Sequence, residues 1–209
     1  MAKDYIEIGA LGWTHPGWDN DYYPEDLPED WRLDYYSHHF QFVIMQSGEW
    51  LQAGDDEIEQ WLEDVKDSFD FFLALEADAI DKAAVKQVER IKCILAERLQ
   101  GLVILHMNKA IDATLVQGLS ALSTVYVDTD TSMEEWADIR PVWRMGREIS
   151  GCQIGFIEEE ATKDMRTMRA HIEAFIAQGG TQQLYLVYQG QSPSTRAMQD
   201  AQVILQMLA

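Results

Sequence analysis

Positive charge is what this chain has least of. Lys and Arg number 16 against 36 Asp and Glu, a formal net charge of −20. Phosphate backbones and anionic headgroups repel such a chain, so nucleic acid and membrane surfaces are excluded as general partners. Cysteine is nearly absent. Cys93 and Cys152 form no CxxC pair, so a disulfide scaffold is excluded and two buried free thiols are expected. No apolar run approaches ~18 residues, which excludes a transmembrane helix. The start MAKDYIEIG lacks the order of charge, apolar core and cleavage site that marks a secretory signal. A soluble cytoplasmic protein is the expectation. Neither GxGxxG nor GxxxxGK[ST] follows a strand-like run, so nothing supports a nucleotide site. The five histidines show neither HExxH nor zinc spacing, and no GxSxG elbow is present. No metal is implied, and no cofactor is identified.

Hydrophobic residues make up 47% of the 209, enough for one packed domain over 1–209. Strand-like runs alternate with helical patterns. Tyr5 to Leu11, Phe40 to Met45, Phe69 to Leu75, Leu102 to Met107, Thr124 to Asp128, Cys152 to Ile157 and Gln183 to Tyr188 read as strands, and Pro141 to Gly146 as an eighth. Helices are predicted from an Asp26/Glu29 capping box to His39, from Asp55 to about Val65, over Ala79 to Leu99, Asp112 to Leu122, Thr162 to Ala177 and Ser194 to Leu208. A second capping box falls at Ser132 and Glu135. Trp31 and Tyr35, four apart, are expected to pack their helix on the sheet. This rhythm means an α/β fold with a parallel sheet and right-handed crossovers. The apolar runs suit strands buried on both faces. A closed barrel and an open doubly wound sheet both fit this rhythm; we expect the closed form, a TIM-type (β/α) barrel with seven strands or one reduced β/α unit, because full barrels typically need ~250 residues.

The opening IGALGWTHPGWDNDYYPEDLPEDWRLDYYSHHFQFV, Ile8 to Val43, carries a spaced set of Gly9, Gly12, Trp13, Trp18, Tyr23, Pro24, Leu27, Trp31, Tyr35, Tyr36, Phe40 and Val43. It resembles the start of the YecE-like family, known as domain of unknown function 72. The last strand and helix, LYLVYQGQSPSTRAMQDAQVILQML, also look like that family's end. The resemblance implies a TIM-type barrel with a polar mouth and supplies no reaction. Departures from the family pattern stand at Ala10-Leu11, Ile44, Gln46 and Gln189-Gly190, with Arg144-Met145-Gly146 in place of its RLHG. Most remove polar groups from the expected mouth, so the site has either changed chemistry or degenerated.

A barrel binds at the C-terminal ends of its strands. Candidate catalytic residues there are His106, Asp128 and Glu76. His106 ends a very apolar strand and can exchange protons near neutral pH. Asp128, with Asp130 on the same strand face, can divide acid and base roles or hold a cation. Candidate ligand-binding residues are Trp13, His15, Trp18, Arg144, Tyr188 and Gln189. Arg144 can receive a carboxylate or phosphate bidentately. The aromatic loop after the first strand can stack on a planar or sugar-like ligand or simply pack the barrel. Gln46, Glu49 and Arg147 also follow strands. The eleven acids between Glu49 and Asp78 read as a solvated face. Two functions compete: a small-molecule enzyme with its site at the mouth, or a non-catalytic ligand-binding or regulatory protein. A small-molecule ligand is the expected partner, and the sequence sets no oligomeric state.

Overall fold

The structure, a computed structural model, describes residues 6–105, 112–129, 139–158, 162–179 and 182–208. Eight parallel strands are present among them. They are β1 (Ile6–Leu11), β2 (Phe42–Met45), β3 (Asp70–Glu76), β4 (Leu99–Leu105), β5 (Val125–Val127), β6 (Ile139–Pro141), β7 (Ile154–Glu158) and β8 (Leu184–Gln189). Among the described residues the α-helices are α1 (Arg32–Ser37), α2 (Ser47–Trp50), α3 (Asp55–Asp64), α4 (Lys82–Leu95), α5 (Ala113–Leu122), α6 (Met165–Gly179) and α7 (Thr195–Leu208).

The sheet runs β6-β5-β4-β3-β2-β1-β8-β7. Its two ends meet just beyond β6. Trp143 donates its N–H to the Ile154 carbonyl at 2.9 Å and accepts from Phe156 N–H at 3.0 Å. Strand follows strand around the ring, which is the topology of a (β/α) barrel. The seam also depends on Gly155. A Cβ there would lie 2.7 Å from the Phe175 ring of α6.

Alternation along each strand sorts the apolar residues into two cores. Phe42, Ile44, Phe72, Ala74, Val103, Leu105, Tyr126, Val142, Ile154, Phe156, Tyr185 and Val187 fill the barrel interior. Their neighbours, such as Val43, Phe71, Leu73, Leu102, Val125 and Leu186, face the helices. This double burial explains why the strands read as continuous apolar runs. The interior is aromatic: the Phe72 ring lies 4.7 Å from Tyr185, 5.9 Å from Phe42 and 6.2 Å from Tyr126, centroid to centroid. Glycines make the room. A Cβ on Gly9 would come within 2.5 Å of the Phe42 carbonyl oxygen, and one on Gly101 within 2.7 Å of the Tyr126 ring.

The length is reconciled on one side of the barrel. The β6–β7 connection, 142–153, contains no helix. The reduced β/α unit is therefore present, and the seven-strand form is not. Other expectations need correction. The Asp26/Glu29 capping box does not start a helix; a 3-10 turn over Glu29–Trp31 follows Pro28, without a side-chain cap, and α1 begins at Arg32. Trp31, at the end of that turn, is 60% exposed. It lies off the buried face formed by Leu33, Tyr36 and Ser37, while Tyr35 packs on Tyr22 and Tyr23. The helix expected to Leu99 stops at Leu95, where Ala96 turns to φ 50° and lets β4 begin at Leu99. Its start is set by Asp81, whose carboxylate accepts from Ala84 N–H at 2.8 Å. Both cysteines are free. Cys152 is buried, but Cys93 is exposed because the buried stripe of α4 runs through Ala84, Val88, Ile91 and Leu95. No described helix is long and apolar enough to cross a membrane. The Ser132/Glu135 capping box lies outside the described residues.

Candidate active site

The strand pleat that fills the barrel also builds its mouth. At the C-terminal end the interior has an apolar level of Ile44, Ala74, Leu105, Phe156 and Val187. One pleat further, six of the eight strands end in or are followed by a polar inward position: Gln46, Glu76, Asp128, Arg144, Glu158 and Gln189. A polar ring over an apolar floor is the general form of a small-molecule site.

Arg144 ties three strand ends together. Its Nε donates to Asp128 Oδ1 at 2.9 Å and its Nη2 to Asp128 Oδ2 at 2.6 Å, a bidentate pair. Nη1 donates to Glu158 Oε1, and Nη2 reaches Gln189 Oε1 at 3.5 Å. The Gln189 amide donates to the same Glu158 oxygen. The guanidinium carbon stands 5.0 Å above the Phe156 ring. Arg147 adds a second cation, with Nη1 3.2 Å from Asp128 Oδ1. Asp128 is only 4% exposed. Burial alone would raise its pKa, but the hydrogen bonds and charge of Arg144, with Arg147, outweigh it and hold the carboxyl below the usual range. For Arg144 the balance has the same form. Burial lowers its pKa, and Asp128 and Glu158 together raise it further. Both partners are locked in their charged forms.

Glu76 contrasts with this. It ends β3, follows Ala74 on the inward face, and makes no hydrogen bond or ion pair with a described residue. Two carboxylates of one layer therefore sit in different surroundings, one pinned by two arginines and one open.

The aromatic loop after β1 lies elsewhere. Trp13 packs edge-on against Trp61 of α3 at 5.8 Å. Trp18 is 2% exposed and donates its indole N–H to the Pro193 carbonyl at 2.6 Å. His15 packs on Trp18 at 4.5 Å, with Nδ1 3.3 Å from the Gln191 carbonyl oxygen. Burial pushes the His15 pKa down, against the surrounding Gln191, Gly12 and Leu11 carbonyls. Tyr188 points away from its neighbour Gln189 and donates to Met168 Sδ on α6 at 3.2 Å. These four side chains belong to the layer between barrel and helices, where His15 and Trp18 clamp the β1 and β8 loops together. Gln46 and Glu49 join the β1 and β2 loops. Glu49 Oε2 accepts from Gln46 N–H at 2.6 Å and Oε1 from the Thr14 hydroxyl at 3.1 Å. Burial pushes the Glu49 pKa up to about 7, against these hydrogen bonds.

The mouth thus brings Asp128, Arg144 and Gln189 into contact, with Glu76 in the same layer. It does not bring Trp13, His15, Trp18 or Tyr188 to them. His106, Asn108, Lys109 and Asp130 lie outside the described residues. Sequence reasoning missed Glu158, because the strand was expected to end at Ile157. The alternation Ile154, Phe156 already pointed to it as the next inward position. No group of three or more His, Cys, Asp or Glu among the described residues could hold a metal ion.

A second polar group occupies the opposite, N-terminal end of the barrel. Asp70 accepts from the Tyr185 hydroxyl at 2.9 Å and from Gln100 Nε2 at 3.0 Å. Glu7 Oε2 is buried without a partner. Burial and the nearby Asp70 charge raise the Glu7 pKa from 4.5 to about 7. A carboxyl raised on folding binds its proton more tightly in the folded state. Stability therefore falls as pH rises from 4.5 to about 7, and stays low above it. Glu7→Gln removes that penalty. Urea denaturation should find the variant ~1–2 kcal/mol more stable than wild type at about pH 8, and nearly equal at about pH 4.5. A gap independent of pH would show that Glu7 ionises freely.

The family model for the protein of unknown function DUF72 matches residues 7–118. Solved structures share the fold. A DUF72 family protein from Thermotoga maritima matches with a TM-score of 0.64 at 15% identity, over 97% of this chain and 98% of that one. One from Enterococcus faecalis gives 0.63 at 9% identity, over 96% and 95%. The 3-keto-D-glucoside 4-epimerase of E. coli, in its apo form, gives 0.58 at 14% identity, over 97% and 99%. At these identities the likeness shows the fold alone. No curated protein matches the sequence.

Proposed function

This chain belongs to the DUF72 family, and we propose that it is a small-molecule enzyme that moves a proton at the C-terminal mouth of its barrel. One observation carries the reading: the mouth layer holds two carboxylates in opposed surroundings. Asp128 is held ionised by Arg144 and Arg147. Glu76 has no described partner and is the group available to take a proton. Paired titratable groups in unlike environments are how acid and base roles are divided. Arg144, fixed from three sides, orients the substrate with Gln189. His106, directly after Leu105 of β4, is the proposed proton-carrying partner of Glu76. The E. coli structural neighbour is named as an epimerase of a keto-glucoside, so a barrel of this shape accommodates small-molecule chemistry.

Deuterium incorporation into a panel of small carbonyl compounds, followed by NMR in D2O, tests this. Wild type should catalyse exchange at a carbon next to the carbonyl. Glu76→Gln should slow it roughly 100-fold while leaving the fold intact. The second reading, ligand binding without turnover, is favoured by the mutual occupation of Arg144 and Asp128. It gains if panel members shift mouth resonances and none exchanges.

A further inference from the structure

We propose that a cleft at the N-terminal end of the barrel, opposite the mouth, binds a small molecule through a phosphate or carboxylate group. This site is separate from the mouth and does not depend on the function assigned there. A cavity of about 600 Å³ opens where α5 ends and β5 and β6 begin. Gln117 and Ser120 of α5, Ser123 and Thr124 ahead of β5, and Arg140 of β6 form its polar lining. Ala121 and Ile139 complete the wall. The volume falls in the range of small-molecule sites.

Charge selects the ligand. The chain has 36 Asp and Glu against 16 Lys and Arg. Among the described residues, however, no carboxylate lines this cavity and one guanidinium does. Arg140 is held by neutral acceptors. Its Nη1 donates to Gln153 Oε1 and, at 3.4 Å, to Gln182 Oε1. The Tyr126 hydroxyl donates to the same Gln153 oxygen at 2.8 Å and helps to fix it. The positive charge is thus positioned without being neutralised. Nε–H and both hydrogens of Nη2 have no partner among the described residues. The Ser123 and Thr124 hydroxyls and the Gln117 amide have none either, whereas the Ser120 hydroxyl is turned back onto the Val116 carbonyl at 2.8 Å. An oxyanion matches this set of donors. A cation would meet the guanidinium with no carboxylate to offset it. A neutral ligand can share the hydroxyls but leaves the guanidinium uncompensated, and charge-assisted hydrogen bonds are about twice as strong as neutral ones. The C-terminal dipole of α5 opposes an anion. Two of its last carbonyls are covered, Leu122 by Lys92 Nζ and Leu119 by Ser123 N–H at 3.1 Å. Lys92 also brings a second positive charge to the carbonyl between Ala121 and Ser123.

Inorganic phosphate, succinate, choline and methyl β-D-glucopyranoside serve as probes, titrated at constant ionic strength in chloride. The backbone amides of Ser123, Thr124 and Arg140 report the cleft by NMR, and those of Arg144 and Gln189 report the mouth. Phosphate or succinate should shift the cleft amides saturably in the millimolar range. Whichever saturates first identifies the anionic group. Arg140→Gln, at an exposed position, should weaken the response at Ser123 and Thr124 roughly tenfold or more. Thr124→Val keeps the branched shape and removes one hydroxyl, and should weaken it about fivefold. The inference is overturned if neither anion shifts the cleft amides by tens of millimolar, or if either variant binds like wild type. It is also overturned if choline or the glucoside shifts them at lower concentration than both anions, or if the anion response is confined to the mouth amides. The two ends of the barrel are read separately and without turnover. An empty cleft leaves the mouth enzyme standing, and a mouth without exchange leaves the cleft standing.

Discussion

Arg144→Met should lower stability by about 3 kcal/mol, because it strands a buried charge. Asp128 is 4% exposed and receives two of its short hydrogen bonds from Arg144. Arg147 stays as a partner at 3.2 Å and keeps the loss from being larger. Glu158, at 56% exposure, is re-solvated at little cost. For a chain of 209 residues this corresponds to a drop in Tm of roughly 6–12 °C. Asp128 now stabilises the folded state above its unfolded pKa, since its folded pKa is lowered. That contribution is lost as pH falls through the folded pKa. In Arg144→Met the carboxyl loses its largest partner and its pKa rises. The gap between variant and wild type should therefore close toward acid pH. Pairing Arg144→Met with Asp128→Asn should recover a large part of the loss, because the stranded charge is gone. Urea curves for the two single variants and the double variant measure the coupling. Additive effects would mean the pair does not form.

Phe72→Ala should cost roughly 4 kcal/mol, or a drop in Tm of roughly 8–16 °C. Phe72 is fully buried inside the barrel, and its ring meets Tyr185, Phe42 and Tyr126. Each comes from a different strand, so relaxation around the cavity would require strands of a closed ring to shift together. That is why the cost should lie near the upper range for a lost ring. Phe72→Leu retains most of the volume and should cost under ~1.5 kcal/mol. Calorimetry of both variants is the check. A loss below ~1 kcal/mol for Phe72→Ala would place Phe72 outside a packed interior.

Much of the fold was legible because it rests on local rules. Ile58, Trp61 and Val65 are buried at helical spacing around α3, and Ala197, Ala201 and Ile204 form the inner stripe of α7, as their periodicity predicts. Asp112 caps α5 through Thr114 N–H at 2.8 Å. Local rules failed where two signals overlapped. The apolar pattern from Ala79 to Leu99 runs through the end of α4, and only the turn at Ala96 divides helix from strand. Trp31 carries a family-like spacing yet faces solvent, because the chain preceding α1 is wound as a 3-10 turn.

The candidate site was legible as a list and not as a constellation. Strand ends could be read, so Asp128, Arg144, Gln189 and Glu76 could be named. Their roles could not, since Arg144 looked able to receive an anion until its partners were visible.

The sequence by itself determined the alternation of strands and helices, apart from α2, which it did not announce, and β6, expected at Pro141 to Gly146 and found at Ile139–Pro141; it also determined the double burial of the strands and the resemblance of both chain ends to one family. Those properties depend on residue periodicity and on neighbours a few positions apart. Only the tertiary structure decided that Arg144 meets Asp128, 16 positions away, and Gln189, 45 positions away. It also decided that Trp13 and Trp18 pack behind the barrel wall. The physical reason is the closing of the ring. The bridge from Trp143 to Gly155 fixes the register of β6 against β7, and register decides which polar side chains of distant strands share one layer.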